Sequence, residues 1–511
     1  MKAHLLYPQQ DFDSAGDLPP NHGDLIQDLE LNTLLGAMAL GDKFLFDVAR
    51  KVMLRSLCDP EVILYRQRVL ADCIAEPDII REMYAIAVGA LQDKRGLWGY
   101  SSPYPASILS GAVRQLEVFI VRLRELRQVA DSHSGRFRSA GLTTLFRALQ
   151  QELDDDYFET LDHHLKQLRF RNGELMSVQL DRDNSGIGYV LRSGDARRGW
   201  KERVGIGPRT SYSFTVPPRD EAGAEALSEM TNRGINLVAN AAAQSADHVS
   251  SYFTMLRAEL GFYVSCLNLH DQLVARSPVT FPVPSAVGTQ ELCCADLRDA
   301  CLALRIDGVV GNDVDADGKS LVIITGANSG GKSTFLRSAG LAQLMMQCGM
   351  FVAAGSFRAS VCKGVFTHFI REEDASMISG RLDEELGRMS AIADQISPHC
   401  LMLFNESFAA TNEREGSEIG RQVARALLEA GIRVLFVTHQ FDFADSFHRG
   451  QAYSTLFLRA PRQPDGQRNF KLAVAEPLPT SYGVDLYYRI GGWMGEHESE
   501  TQATPGSFPA T

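Results

Sequence analysis

Ile323-Ile324-Thr325-Gly326-Ala327-Asn328-Ser329-Gly330-Gly331-Lys332-Ser333-Thr334 is the stretch whose reading decides the fold. It fits the pattern G-x-x-x-x-G-K-[ST] from Gly326 through Gly331 to Lys332 and Ser333. An apolar, β-rich run, Leu321 to Ile324, comes just before it. Helical spacing follows, with Phe335, Leu336, Ala339, Leu341 and Leu344 to Met346. Strand, glycine loop and helix together form a cradle for phosphate. Glycines permit turns that side chains block, so backbone N–H groups converge on an anion. The helix N-terminus adds partial positive charge. In such a cradle Lys332 reaches the β- and γ-phosphates and the Ser333 hydroxyl holds Mg²⁺. Gly326, Asn328, Gly330, Gly331 and Thr334 complete the candidate nucleotide-binding set.

Downstream, Cys400-Leu401-Met402-Leu403-Phe404-Asn405-Glu406 is an apolar strand ending in polar oxygens. The usual ending of such a strand is Asp-Glu: the Asp holds Mg²⁺ through water and the Glu activates the attacking water. Here Asn405 keeps an oxygen for the metal shell but lacks the charge, whereas Glu406 is in place. Slow hydrolysis is the expectation. Thr438-His439 ends the next apolar strand, Val434 to Val437, and His439 is placed to contact a γ-phosphate. Ser379-Gly380-Arg381 precedes an acidic helical stretch, which presents Ser379 and Gly380 as a helix N-terminus for phosphate. Strands and helices alternate from Lys319 onward, so residues 281–495 read as an α/β nucleotide-binding domain. Late strands are expected at 453–459 and 469–475, a short helix from Val484, and a disordered tail over 496–511.

Upstream the period is different. Residues 1–24 are polar and proline-containing, a flexible or loosely docked lead-in. Residues 25–169 carry helical spacing throughout. Asp59-Pro60-Glu61 is a helix start, with a capping Asp and Pro at the first helical position. Residues 170–217 form a small β-rich insert with short strands expected at 175–180, 188–191, 204–206 and 211–216. Glu221 to Ser277 contains no proline and reads as one long helix of roughly 80 Å, which Gly234 and Gly261 are able to bend. Residues 218–280 thus form a lever, and Pro278 to Pro284 a linker.

Composition sets outer limits. The chain has 511 residues, 45% hydrophobic and 22% charged, which suits several soluble globular domains. A formal net charge of −12 excludes a uniformly basic nucleic-acid binder but permits a local patch. From Arg192 to Arg209 six basic residues (Arg192, Arg197, Arg198, Lys201, Arg203 and Arg209) stand against two acidic ones, a net charge of +4. With Trp200 and Tyr212 beside it, this patch suits a nucleic-acid backbone. A solvated charged loop is the competing reading. The nine cysteines are scattered without C-x-x-C spacing. Reduced thiols and a cytoplasmic location are the expectation, without a membrane span or structural zinc.

Residues 310–490 resemble the ATPase domain of the MutS DNA mismatch-repair family. The phosphate loop, Phe351-Val352, Phe366-Thr367, Ser379-Gly380-Arg381, Asn405-Glu406, Thr438-His439 and Ser481-Tyr482-Gly483-Val484 follow in that family's order. Residues 25–277 resemble, more faintly, its helical core with levers and clamp, carried by Leu57-Cys58-Asp59-Pro60 and the run after it. The resemblance implies an α/β ABC-type P-loop ATPase domain preceded by a mostly α-helical core and lever region with a β-rich clamp insert. It also implies ATP and Mg²⁺ as cofactors, catalytic roles for Glu406, Lys332 and His439, metal contacts at Ser333 and Asn405, DNA as partner, and a homodimer sharing its ATPase sites. Three departures stand out. A mismatch-reading domain is not expected, because about 24 residues precede the helical core, and Phe158-Glu159 falls in a helical stretch. Leu382-Asp383 replaces the family's Ser-Thr, and Asn405 replaces its Asp. No nuclease-like domain is expected after the ATPase. Two functional readings remain open: a DNA-binding ATPase clamp in repair or recombination, and a regulatory ATP-binding switch with little turnover and no direct DNA role.

Overall fold

The computed structural model describes residues 1–96, 103–170, 173–183, 185–192, 213–371, 380–461 and 468–479. The chain divides into two compact units. One comprises Met1–Gly16, Met38–Ala49 and Leu64–Asn268; the other comprises Asp17–Ala37, Arg50–Ile63 and Leu269–Thr511. This differs from the linear division expected from sequence, because early segments contribute to both units.

The helices of the N-terminal half are α1 His22–Asp28, α2 Leu31–Ala39, α3 Lys43–Leu54, α4 Pro60–Ala75, α5 Pro77–Gly96, α6 Pro105–His133, α7 Ala140–Glu152 and α8 Asp155–Leu168. Their starts follow the local chemistry. Asp59 accepts from Glu61 N at 2.9 Å, with Pro60 at the first helical position. Ser139 and Asp154 cap α7 and α8 by accepting from Leu142 N and Tyr157 N. Phe158 is buried under the Arg124 guanidinium, 4.5 Å from its ring centroid, and so serves packing.

Next come the antiparallel strands β1 Leu175–Leu180 and β2 Gly186–Arg192, then α9 Glu221–Leu273, 53 residues without a break. α9 continues without interruption through Gly234. A Cβ there would fall 2.0 Å from Met176 Sδ, so the glycine makes room for the Met176 side chain of β1. Residues 213–216 are irregular rather than strand, and the expected strand at 204–206 lies outside the described residues.

The N-terminal lead-in is not loose. Leu5 and Leu6 are fully buried, and Phe12 is nearly so. The reason is a set of polar anchors inside the first unit. The Glu259 carboxylate, on α9, accepts from the N–H groups of Leu5 at 2.5 Å, Leu6 at 3.2 Å and Phe12 at 3.3 Å. Tyr263 donates to Leu5 O at 2.6 Å and Arg66 Nε to Leu6 O at 2.7 Å. An irregular segment can be buried only when its backbone is paired, and these side chains pair it.

The second unit holds β3 Val283–Ser285, β4 Leu292–Leu297, α10 Ala300–Arg305, β5 Asn312–Asp315, β6 Leu321–Gly326, α11 Lys332–Gln347, β7 Ser356–Ser360 and β8 Val365–Phe369. It continues with α12 Arg381–Ala393, β9 Leu401–Asn405, α13 Glu413–Glu429, β10 Arg433–Val437, α14 Phe441–Gly450, β11 Thr455–Ala460 and β12 Ala473–Val474. A six-stranded sheet has the order β12-β11-β6-β10-β9-β8, parallel except for β12. A four-stranded sheet has the order β3-β7-β4-β5. α11, buried along most of its length, packs against strands of both sheets. On the other face of β10 sit α13 and α14, where Phe404 stacks on Phe436 and Phe443 packs on Phe436 at a tilt. α1 packs on β8, and Asn21 Nδ2 donates to Val365 O at 2.8 Å. The expected linker is pinned: Thr280 pairs with Val352, and Val283–Ser285 is an edge strand. The late strand expected at 469–475 shrinks to Ala473–Val474, and the helix from Val484 lies outside the described residues.

Glu259 has a measurable consequence. Burial, reinforced by the Asp11 charge, pushes its carboxyl up to about 7, against the pull of three N–H donors. The folded state then holds a proton that the unfolded chain has released, so this group's contribution to stability is fully present below the ordinary carboxyl pKa and is lost as pH rises through about 7. The contribution is on the order of 3 kcal/mol. Glu259→Gln cannot titrate, and urea unfolding across this pH range is expected to show a flatter decline than wild type. An unchanged slope places the titration elsewhere.

Candidate functional site

The site is assembled by strand register. Ile324 on β6 lies opposite Val437 on β10, which lies opposite Asn405 on β9. The three strands therefore end side by side, and the segments that follow them meet in the crevice beyond their carboxyl ends. Those segments are the glycine loop, Asn405-Glu406 and Thr438-His439. Two backbone bonds tie them together: Thr438 N donates to Ile324 O at 3.1 Å, and Glu406 N to Val437 O at 2.9 Å.

The loop's glycines have distinct reasons. Gly326 has φ +102°, and a Cβ there would sit 2.5 Å from Ala460 O at the end of β11. Ala327 N donates to that same oxygen at 3.2 Å. Gly331, at φ +91°, immediately precedes the first residue of α11 in a left-handed conformation. Lys332 opens α11 and is only 4% exposed. Its ammonium donates to Gly326 O at 3.0 Å and Ala327 O at 3.1 Å. Burial lowers its pKa, the Glu406 carboxylate opposes that, and Arg468 adds to it. A buried cation at the first residue of a helix, beside a glycine loop, is an arrangement that an anion completes.

The Ser333 hydroxyl donates to Asn405 Oδ1 at 2.8 Å. Hydroxyl, amide and the nearby Glu406 carboxylate are hard oxygen donors, the type that Mg²⁺ takes beside phosphates. The amide oxygen also leaves a Ser333 lone pair free for a metal while accepting the hydroxyl hydrogen. Glu406 has φ +54°, a left-handed conformation that costs about 1–2 kcal/mol in a residue with a Cβ.

Lys332, Ser333 and Glu406 border a cavity of 690 Å³, whereas Gly326 and Asn405 stand behind its lining, Asn405 reaching it only through Ser333. Asn328, Ser329, Gly330, Gly331, Lys332, Ser333, Thr334, Glu406 and His439 form its polar lining. Leu302, Ile306, Val309, Val310 and Phe470 form an apolar wall with no signal in the sequence. They come from α10, the loop after it and a segment after β11. Asn312 holds the last of these in place, donating to Phe470 O at 3.2 Å and accepting from Leu472 N at 2.7 Å. The cavity thus combines the polar glycine-loop residues, Lys332 and Glu406 with apolar lining residues able to pack on a base.

Not every expected residue converges. Gly380 is exposed at the start of α12 and does not line the cavity. Ser379 lies outside the described residues, as do Arg197, Arg198, Lys201, Arg203 and Arg209 and the Ser481-Tyr482-Gly483-Val484 segment. Arg192 is exposed on β2, its Nε donating to Ser177 Oγ at 2.9 Å. All nine cysteines are free thiols. Among the described residues no helix is long and apolar enough to cross a membrane.

Comparison with known proteins agrees with this geometry. Residues 58–276 match the MutS2 N-terminal domain and residues 322–491 match MutS domain V. The chain belongs to the MutS family. A Bacillus subtilis relative, "Putative endonuclease MutS2", is 25% identical over 402 residues, 71% of this chain and 50% of that protein. "DNA mismatch repair protein MutS" of Thermus aquaticus is 30% identical over 183 residues, 36% of this chain and 22% of that protein. The Chloroflexus aurantiacus protein of the same name is 34% identical over 135 residues, 25% and 14% respectively. The chain thus spans half or less of the length of these relatives. The match to MutS domain V starts inside β6 and takes in the glycine loop, Asn405-Glu406 and His439. The second unit therefore carries a MutS-type P-loop domain.

Gly326→Ala tests the loop geometry. Left-handed strain adds about 1 kcal/mol, and contact with the Ala460 backbone adds about 1–3 kcal/mol of overpacking. A lower melting temperature and weaker nucleotide binding are the expected results. A variant that melts and binds as wild type does contradicts the close approach to Ala460.

Proposed function

We propose that this chain is an ATP-hydrolysing, DNA-binding protein of the MutS type, a homodimeric ABC-type ATPase clamp acting in DNA repair or recombination. The observation that carries the proposal is the convergence of Lys332, Ser333, Glu406 and His439 on one cavity that also has apolar lining residues. The loop N–H groups and Lys332 bind the phosphates, the ammonium exchanging its two carbonyl partners for phosphate oxygens. Ser333 and Asn405 hold the metal side of the site, and bound Mg²⁺ supplies charge neutralisation on the phosphates. Glu406 accepts the proton of the attacking water, and His439 contacts the γ-phosphate. Gly380, exposed at a helix start, suits a role toward the nucleotide of a second subunit.

Asn405 sets the pace in this reading. Phosphoryl transfer is mostly positioning plus electrostatics, so loss of one carboxylate charge beside the metal slows turnover without abolishing it. A loss of about 1–3 kcal/mol corresponds to about 5- to 150-fold. The same neutral amide favours a second reading, a nucleotide-binding switch with little turnover and no direct DNA role.

An ATPase assay with three variants separates the readings. Lys332→Ala is expected to lose ATP binding by calorimetry. Asn405→Asp is expected to raise turnover, and Glu406→Gln to remove it and to enrich dimer with ATP in sedimentation. A wild type without turnover that Asn405→Asp fails to restore supports the switch.

The DNA half of the proposal rests on the basic run from Arg192 to Arg209 and on its charge contrast with an acidic chain. Replacing Arg197, Arg198 and Arg203 by Ala is expected to weaken DNA binding equally across sequences and to flatten its salt dependence. Unchanged binding at several salt concentrations removes this segment from the DNA interface.

A further inference from the structure

Glu406 is held from behind by residues that never reach the cavity. His368, fully buried on β8, places Nε2 2.9 Å from the Glu385 carbonyl oxygen and Nδ1 2.7 Å from Ser407 Oγ. A carbonyl only accepts, so Nε2 carries the hydrogen. Burial, and secondarily the Arg388 charge, lower the imidazole to about 4, which keeps it neutral with Nδ1 as an acceptor. The Ser407 hydroxyl therefore faces two acceptors, Nδ1 and His368 O, the latter at 2.6 Å. One residue on, the Glu385 carboxylate of α12 accepts from Phe408 N, and Gln440 Nε2 donates to Phe408 O at 3.2 Å. The Phe408 ring lies against the imidazole, with centroids 5.3 Å apart and planes 21° apart.

The pinned residues are those that need pinning. Glu406 and Phe408 have φ +54° and +62°, left-handed values that an unrestrained loop of residues with Cβ atoms would abandon. On its other side Glu406 follows Asn405, whose carbonyl accepts from Ile370 N at 3.0 Å. The carboxylate thus projects into the cavity from a backbone clamped by β8, α12 and the residue after His439.

We propose that His368 and Glu385 are positioning residues for Glu406, acting through Ser407 and Phe408 to hold the backbone that aims its carboxylate into the cavity. The proposal rests on the reading of Glu406 as the water-activating group. It also makes α12, the helix that begins at Gly380–Arg381, an element that sets the geometry of Glu406.

The test uses the full chain and two readouts, ATP affinity by titration and hydrolysis rate in a single turnover at saturating ATP. Ser407→Ala removes one hydroxyl and leaves the core volume nearly unchanged. Glu385→Ala removes the Phe408 acceptor, and Glu385→Gln retains one. Misaiming by about an ångström is expected to slow hydrolysis about 10- to 100-fold in Ser407→Ala and Glu385→Ala. Affinity is expected to stay within about threefold of wild type, and Glu385→Gln to retain most of the rate. Wild-type turnover in a folded Ser407→Ala variant overturns the positioning role, as does a parallel loss of affinity and rate. If wild type binds ATP but turns over no faster than Glu406→Gln, the hydrolytic reading fails and the positioning role fails with it.

Discussion

Parallel pairing of β6 between β10 and β11 is the constraint on which the second unit depends. A parallel strand in the middle of a sheet is buried on both faces, so it must be apolar along its length and covered by helices on each side. Leu321-Val322-Ile323-Ile324 meets the first demand, and α11 with α13 and α14 meets the second. The pairing also fixes where strands end. With Ile324, Val437 and Asn405 in one row, three short polar segments have to emerge together. Pairing with β11 adds a further consequence: it brings the Ala460 backbone so close to Gly326 that no side chain fits.

Charge inside that crevice is balanced by very few groups. Lys332 is buried and shares its ammonium between two carbonyl oxygens, a weaker arrangement than a pairing with phosphate. Asn405 keeps the hydrogen bond to Ser333 that a carboxylate would make, but not the charge. The polar lining of the cavity is therefore less negative than an Asp-Glu pair would make it. Glu406 is its one carboxylate among the described lining residues, held at a backbone angle that the local sequence does not favour.

The first unit solves a different problem. Most of the 53-residue α9 lies in it, and its buried apolar side chains meet segments distant in sequence, as Phe253 meets Phe119 of α6. The chain's first residues are held by Glu259 and the Tyr263 hydroxyl on α9 and by the Tyr65 hydroxyl and the Arg66 guanidinium on α4, all working on backbone groups. Burying Glu259 is costly, and the three N–H bonds offset only part of the cost, which is why its proton affinity rises. Such anchoring couples the N-terminal segment to pH as well as to packing.

Sequence alone determined what depends on near neighbours. The glycine loop, the helix after it, the Asn405-Glu406 and His439 strand ends and the length of α9 are all local patterns, because periodicity and turn chemistry act over a few residues. Capping at Asp59-Pro60 belongs to the same class. Only the tertiary structure decided what depends on distant segments meeting. Gly234 has no local sign of accommodating Met176, and Leu5 and Leu6 sit in a polar lead-in whose burial needs Glu259 and Tyr263 some 250 residues away. The apolar wall of Leu302, Ile306, Val309, Val310 and Phe470, and the His368–Ser407–Glu385 clamp, are likewise products of strand order. No spacing rule links β8, α12 and the end of β9; parallel pairing brings them together, and side-chain hydrogen bonds then specify the geometry.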